Sequence, residues 1–385
     1  MPDATPRFID ELKFLQSHVE THVLQGEEGS VVAVVPAWQG RTMTSATSAE
    51  GLSYGWLNHE LIRSRRVFPQ ANLYGGEDRL WLAPEGGQFS FFFEPGAPFE
   101  FGNWRCPALI DTEPFDLVEV SSREIICSKT ALLKNYSQTK FATRLERKVS
   151  ILERANIAAA LNLQVPDSVR CVGHESQNRM TNVGNEAWSA AKGLPANWNL
   201  GMFNPSDGVT MVVPYRDGAE DELGKIVTSD YFGEVDQSRL QIDHERKLIF
   251  FRGDGNFRSK LGLSHQRALP ILGSWDDRLG ALTIVRFNRP ERVEVGYTNN
   301  LWRIQDQPFS GDAVNCYNDG PNESGERLGP FYELESLSPA LALNPTESYN
   351  HIHQTFHFEG ERAALSGLTE AVFGVGVSEI ARRFQ

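Results

Sequence analysis

The chain has 385 residues, 40% of them hydrophobic, and a formal charge of −13. That is ample for a large packed core, and an acidic chain without a basic block is a poor partner for nucleic acid. The charged N-terminal stretch MPDATPRFIDELKFL lacks the apolar core of a secretory signal, and no apolar run nears the length of a membrane span.

A cytoplasmic location with no membrane partner is therefore expected, with Met1 read as the initiating residue. Cys106, Cys127, Cys171 and Cys316 are scattered and form no CxxC pair, which excludes a zinc knuckle or dithiol motif and suits a reducing compartment. The basic run at Arg63–Arg66 reads as a solvated face.

In chain order, Phe8, Leu12, Leu15 and Val19 fall at helical spacing and predict an N-terminal amphipathic helix. Shorter helices are expected around Leu57–Ile62 and over Ile151–Leu163. The rest reads as strands: SVVAVVPAW, DRLWLA, QFSFFF, EIICSKTALL, TRLERKVSIL, VTMVVPY, RKLIFFRG and ALTIVRFN, separated by Gly, Pro, Asn and Asp. No fixed-period repeat argues for a propeller. The expected fold is one all-β sandwich domain over residues 1–385 with a few short helices.

The segment YGGEDRLWLAPEGGQFSFFF, Tyr74–Phe93, places a charged strand between two glycine pairs. Alternation assigns Glu77, Arg79 and Trp81 to one face. An indole can stack on a sugar's C–H face while charged groups fork onto its hydroxyls. A buried ion pair between Arg79 and a neighbouring carboxylate, beside a core Trp, is an equal reading.

Further on, the Gly-Asp-Gly turn at Gly253–Gly255 has no helix after it, so a dinucleotide cofactor is not expected. Lys260 is a functional candidate there, whereas His265 and Arg267 read as surface charges of a hairpin. Asn315, with Asp312, Asn318 and Asp319, forms a polar loop suited to a hydroxyl-binding rim or to bonding its own backbone.

In FYELESLSPALALNPTESYNHIHQTFHF, Phe331–Phe358, Glu333 and Glu335 share one strand face, and so do His351, His353 and His357. Asn344–Pro345 suits a turn between them, so a hairpin is expected that brings Glu335 near His353 as an acid–base pair. The three histidines spread over roughly 20 Å of one strand and cannot all bind one ion; His351 with His353 alone could, but no metal site is expected. The competing reading is that the three histidines pack against the sandwich and bond backbone or water.

These residues also resemble a known family. The ending YELES…LALNPTESYNHIHQTFHF is similar to the closing segment of the aldose 1-epimerase (galactose mutarotase) superfamily, with Glu335 at the catalytic Glu and Pro345–Thr346–Glu347 at its turn. GGEDRLW is similar to the Gly-rich strand that supplies a sugar-binding Arg, here Arg79, and MTNVGNEAW to the NTG turn through Asn182 and Gly184. Longer blocks, such as VPAWQGRTMTSA and GDGNFRSKLGL, resemble a bacterial branch of that superfamily without an assigned activity.

The resemblance implies a β-supersandwich of many antiparallel strands, a sugar or sugar derivative as partner, and no cofactor. It implies an isomerase in which Glu335 takes the anomeric proton and an acid protonates the ring oxygen. The histidine of the family's H-x-YF element is missing from WSAAKGLPANWNLGMF, so His353 or His174 is expected to replace it. A carbohydrate-binding protein without turnover is the alternative, with a polysaccharide lyase or hydrolase behind it.

Overall fold

The computed structural model describes residues 5–322 and 325–385; Met1 lies outside them. In chain order the strands are β1 (His22–Gln25), β2 (Val31–Val35), β3 (Arg41–Ala46), β4 (Arg79–Ala83), β5 (Asp116–Val120), β6 (Glu124–Lys134), β7 (Lys140–Leu152), β8 (Arg170–Asn182) and β9 (Ala196–Phe203). There follow β10 (Val209–Pro214), β11 (Leu240–Asp243), β12 (Leu248–Arg252), β13 (Ser259–Ser264), β14 (Ile271–Asp276), β15 (Ala281–Phe287), β16 (Asp312–Asn318), β17 (Tyr332–Leu337) and β18 (Ser348–Glu359).

Among the described residues these strands form three sheets: β1-β2-β3, a ten-stranded sheet β11-β12-β10-β14-β15-β18-β8-β7-β6-β5, and a five-stranded sheet β13-β16-β17-β9-β4. Neighbouring strands run antiparallel, including β7 with β8 and β18 with β8. The long strands follow the period-2 rule. Along β7, Phe141, Thr143, Leu145, Arg147, Val149 and Ile151 are buried and alternate with more exposed residues.

The five-stranded sheet lies against the middle of the ten-stranded one. The expected helices form as α1 (Phe8–Gln16), α2 (His59–Ser64) and α3 (Arg154–Leu161). Beyond a single-turn α4 (Glu220–Leu223), the chain ends in α5 (Arg362–Phe373) and α6 (Val377–Ala381), which the sequence reading did not anticipate. Leu365, Leu368 and Ile380 pack there with Phe356 and Phe358, on the side of the ten-stranded sheet away from the five-stranded one.

The expected final hairpin is not formed. β17 pairs with β16 and β9, and β18 pairs with β15 and β8, so the two strands belong to different sheets. Residues 338–347 carry the chain from one sheet to the other. Because the strands sit in different sheets, neither has to match the other's apolar face.

Three smaller expectations also change, the first being that the stretch around Asn315, expected as a polar loop, is strand β16. QFSFFF forms no strand; Phe91, Phe92 and Phe93 are buried in irregular backbone, with the Phe92 ring 5.4 Å from Trp81 and 5.8 Å from Trp104. Arg267 is fully buried and donates to the carbonyls of Arg216, Gly218 and Gly224 at 2.8–3.0 Å, so it fastens loops and is not a surface charge.

The cover formed by α5 and α6 is a measurable part of the fold. Phe358→Ala deletes a fully buried ring beneath it. We expect a loss of about 3–5 kcal/mol in urea unfolding, and a loss under about 1 kcal/mol would show that the helices do not seal this face.

Candidate functional site

The five-stranded sheet presents two unlike faces. Register places Arg79 and Glu335 on either side of Leu200, and Met202 and Tyr317 on either side of Glu333. Lys260 stands opposite Tyr317 and Asn315 opposite Glu335. Strand alternation therefore puts Arg79, Trp81, Lys260, Asn315, Glu333 and Glu335 on one face, here called the front.

Their contacts agree with this placement. Arg79 Nη2 donates to Glu333 Oε1 at 2.6 Å, and its guanidinium lies 4.3 Å from the centroid of the Trp81 ring. This is the buried ion pair beside a tryptophan that was one of the two readings of the glycine-bracketed strand. Trp198 Nε1 donates to Glu335 Oε2 at 2.9 Å, and Lys260 Nζ approaches the same oxygen at 3.4 Å. The Lys260 ammonium also sits 4.9 Å from the Trp198 ring centroid. Glu335 is fully buried, yet among the described residues no group hydrogen-bonds its Oε1.

Asn315 Nδ2 donates to the Leu261 carbonyl at 3.2 Å and lies 3.4 Å from Asp312, which also bonds the Tyr231 hydroxyl. Glu85 adds another carboxyl that interacts with Lys260. Burial raises the pKa of Glu85 and Asp312. Burial also pushes Glu333 up to about 7; Arg79 opposes that rise and the neighbouring Glu335 charge adds to it. Lys260 is raised as well, because the surrounding carboxylates outweigh its own burial.

The back face meets the ten-stranded sheet through a buried polar layer. Here lie the three predicted residues that do not reach the front: His353, His174 and Glu77. His353 Nδ1 and His351 Nε2 each lie 2.9 Å from the Ser336 hydroxyl, whose side chain leaves β17 on the face opposite Glu335. The expected pairing of His353 with Glu335 is thus corrected: the strand itself stands between them.

Glu77 does not follow Arg79 and Trp81 because it precedes the regular part of β4. Gly75 and Gly76 adopt φ of 95° and 107°, and a Cβ on Gly75 would meet the Trp56 carbonyl oxygen at 2.1 Å. This turn sends Glu77 back to His357, whose Nε2 is 2.9 Å from Glu77 Oε2, with His174 at 3.5 Å. Thr283 bonds His357 Nδ1 at 2.9 Å, so the partners select the tautomer that donates from Nε2 to Glu77. Asp78 pairs with Arg147 at 3.0 Å and accepts from Asn199 at 2.7 Å.

Burial opposes the Glu77 charge, but the hydrogen bonds and charges of His357 and His174 hold its carboxyl down at about 2. Burial lowers His351 to about 3 and His353 to about 4. His357 is lowered too, so at neutral pH it serves Glu77 as a hydrogen-bond donor. Trp198, Asp78 and Arg147 were missed by the sequence reading, although Arg147 sits at an inward position of a strand that the alternation did predict. Among the described residues no group of His, Cys, Asp and Glu is arranged to hold a metal ion. No helix among them is long and apolar enough to cross a membrane.

The chain belongs to a family of unknown function, DUF6786, whose profile matches residues 6–384. No curated protein matches the sequence. Among solved structures it is similar to the Slr1438 protein of Synechocystis sp. PCC 6803, at 13% identity and a TM-score of 0.50, over 89% of this chain and 96% of that one. It is also similar to a provisionally assigned aldose 1-epimerase of Escherichia coli K12, at 11% identity and a TM-score of 0.51, over 89% of this chain and 99% of that one. The fold is therefore the galactose mutarotase-like β-sandwich.

The back layer makes stability depend on pH in a defined sense. His353 titrates lower in the folded chain than the ordinary 6.5. Below that value the unfolded chain binds the extra proton, so this contribution is intact above about pH 6.5 and is lost on acidification. His353→Gln should lower stability at pH 7.5 and flatten the dependence between about pH 6.5 and 5 by up to about 1.4 kcal/mol per pH unit. An unchanged slope in urea unfolding would contradict the assignment.

Proposed function

We propose that this chain binds a small sugar or sugar derivative on the front face of the five-stranded sheet and interconverts its anomers, as an aldose 1-epimerase-like isomerase. The observation that carries the reading is Glu335: a fully buried carboxylate with one oxygen held by Trp198 and Lys260 and the other without a donor among the described residues. Buried polar atoms are nearly always bonded, so an orphaned carboxylate oxygen on this face calls for a donor from a ligand. A sugar hydroxyl supplies one. The similarity in fold to a provisionally assigned aldose 1-epimerase points to the same chemistry.

In this reading Glu335 accepts the anomeric hydroxyl proton while the ring oxygen receives one, and the ring opens and recloses. Trp81 and Trp198 supply apolar surface, and Arg79, Lys260 and Asn315 set the polar surroundings. His353, His174 and Glu77 support the sheet from behind and do not touch the sugar. The rival reading, a sugar-binding protein without turnover, draws on the lack of a histidine bonded to Glu333, Glu335 or Lys260 among the described residues.

The test is polarimetry with a panel of monosaccharides, alongside calorimetric binding. Glu335→Gln should reduce anomerisation by roughly 10²–10⁴-fold while binding is largely kept, because the amide retains the shape. Wild-type rates in this variant would remove Glu335 from the reaction. Binding by the wild type with no change in anomerisation rate would establish the rival.

A further inference from the structure

We infer that Lys260 is the acid that works opposite Glu335 and gives the ring oxygen its proton, a role that rests on the anomerisation reading above. Its Nζ lies 3.4 Å from Glu335 Oε2 and 4.9 Å from the Trp198 ring centroid, so the ammonium sits between a carboxylate and an aromatic face. An ammonium has three N–H donors, and among the described residues Glu335 Oε2 is the one acceptor this side chain reaches. Lys260 is 13% exposed, whereas Glu335 is fully buried, so the ammonium stands on the outer side of the pair. An anomeric carbon carries its hydroxyl and its ring oxygen on the same atom. A base at Glu335 Oε1 and an acid at the adjoining ammonium can therefore serve both oxygens at once.

The neighbouring groups leave this role to Lys260. Among the described residues Trp198 and Lys260 alone reach the Glu335 carboxylate, and an indole N–H donates a hydrogen bond without acting as an acid. Arg79 and Glu333 are committed to each other at 2.6 Å, and a guanidinium does not deprotonate. The hydroxyls of Tyr231 and Tyr317 already donate to Asp312 and Asp319. The histidines of β18 lie behind the sheet. Burial works against the Lys260 charge and the adjacent Glu335 outweighs it, so the amine holds its proton before the reaction. Taking up the anomeric proton neutralises Glu335 and removes that hold. Base and acid thus act as a unit, in which a buried ion pair becomes two neutral groups.

The proton balance closes without another reactant. Glu335 removes the anomeric O–H proton, that bond's electron pair forms the C1=O bond, and the C1–O5 bond breaks toward O5. The electron pair on O5 takes a proton from the Lys260 ammonium and leaves a neutral amine. An alkoxide is a far stronger base than an amine, so this transfer runs downhill. After rotation about C1–C2, O5 attacks C1 and returns its proton to the amine, while Glu335 returns its own to the carbonyl oxygen.

The test compares Lys260→Met and Lys260→Arg with the wild type by polarimetry, on any sugar the wild type anomerises, with circular dichroism melting to confirm that each variant is folded. Lys260→Met removes the ammonium and should lose roughly 10²–10⁴ in rate. Lys260→Arg keeps a positive charge beside Glu335 but has no proton to release, so it should lose a similar factor while calorimetry still shows the sugar bound. A folded Lys260→Arg within about tenfold of the wild type would show that Lys260 is a counter-charge only, and it overturns the inference. An unaffected Lys260→Met overturns it as well. Should Lys260→Met not fold, Lys260→Arg decides alone. A rate lost in Glu335→Gln but kept in Lys260→Met leaves the anomerisation reading standing and removes this assignment. A wild type inert toward every sugar defeats both.

Discussion

The fully buried ion pair between Asp78 and Arg147, 3.0 Å apart, is the contact on which the site depends. Arg147 belongs to the ten-stranded sheet and also donates to the carbonyls of Gly40 and Asp78 at 3.0 and 2.9 Å. It therefore ties the start of β4 to the opposite sheet and to the chain before β3. Breaking such a pair by removing one partner typically costs about 3–5 kcal/mol, since it strands a charge in the interior. Its place in the chain gives it consequence: Asp78 faces backward, and the next residue, Arg79, faces forward to Glu333.

The sheet thus separates two sets of charged groups that look alike in sequence. Behind it, Glu77 pairs with His357 and Asp78 with Arg147, several other buried polar atoms such as His353 Nε2 have no hydrogen-bond partner among the described residues, and burial lowers the pKa of His351, His353 and His357. In front, carboxyls outnumber cations, and Glu335 retains an oxygen with no donor among the described residues. Ser336 links the two sides: its hydroxyl is held by His351 and His353 while its neighbour Glu335 projects to the front. The imidazoles that first suggest catalysis therefore hold the catalytic candidate's own strand in place.

Much of this was legible in the sequence, and the failures have physical causes. Alternation assigns residues to faces within one strand, which is why Arg79 with Trp81, and Glu333 with Glu335, were grouped correctly. It does not say which sheet a strand joins. For β17 and β18 the intervening ten residues were read as a turn, but they cross between sheets, and this one difference moves His353 from beside Glu335 to behind it. Glu77 was misplaced because the strand period was carried back from Arg79 to a residue that precedes the regular strand and directly follows the positive-φ turn at Gly75 and Gly76. Along β18 alternation separates the apolar face from the histidine face, but nothing local says which neighbour covers the apolar one. The helices α5 and α6 cover that apolar face, and the histidines face the other sheet.

The most direct test of this arrangement is a crystal structure of the protein with a bound monosaccharide. The account predicts a sugar ring on the front of the five-stranded sheet, with a hydroxyl within hydrogen-bond distance of Glu335 Oε1, near Lys260, and no contact with His353, His174 or Glu77. A sugar bonded to His353 or His174, or one seated away from Glu335, would contradict it.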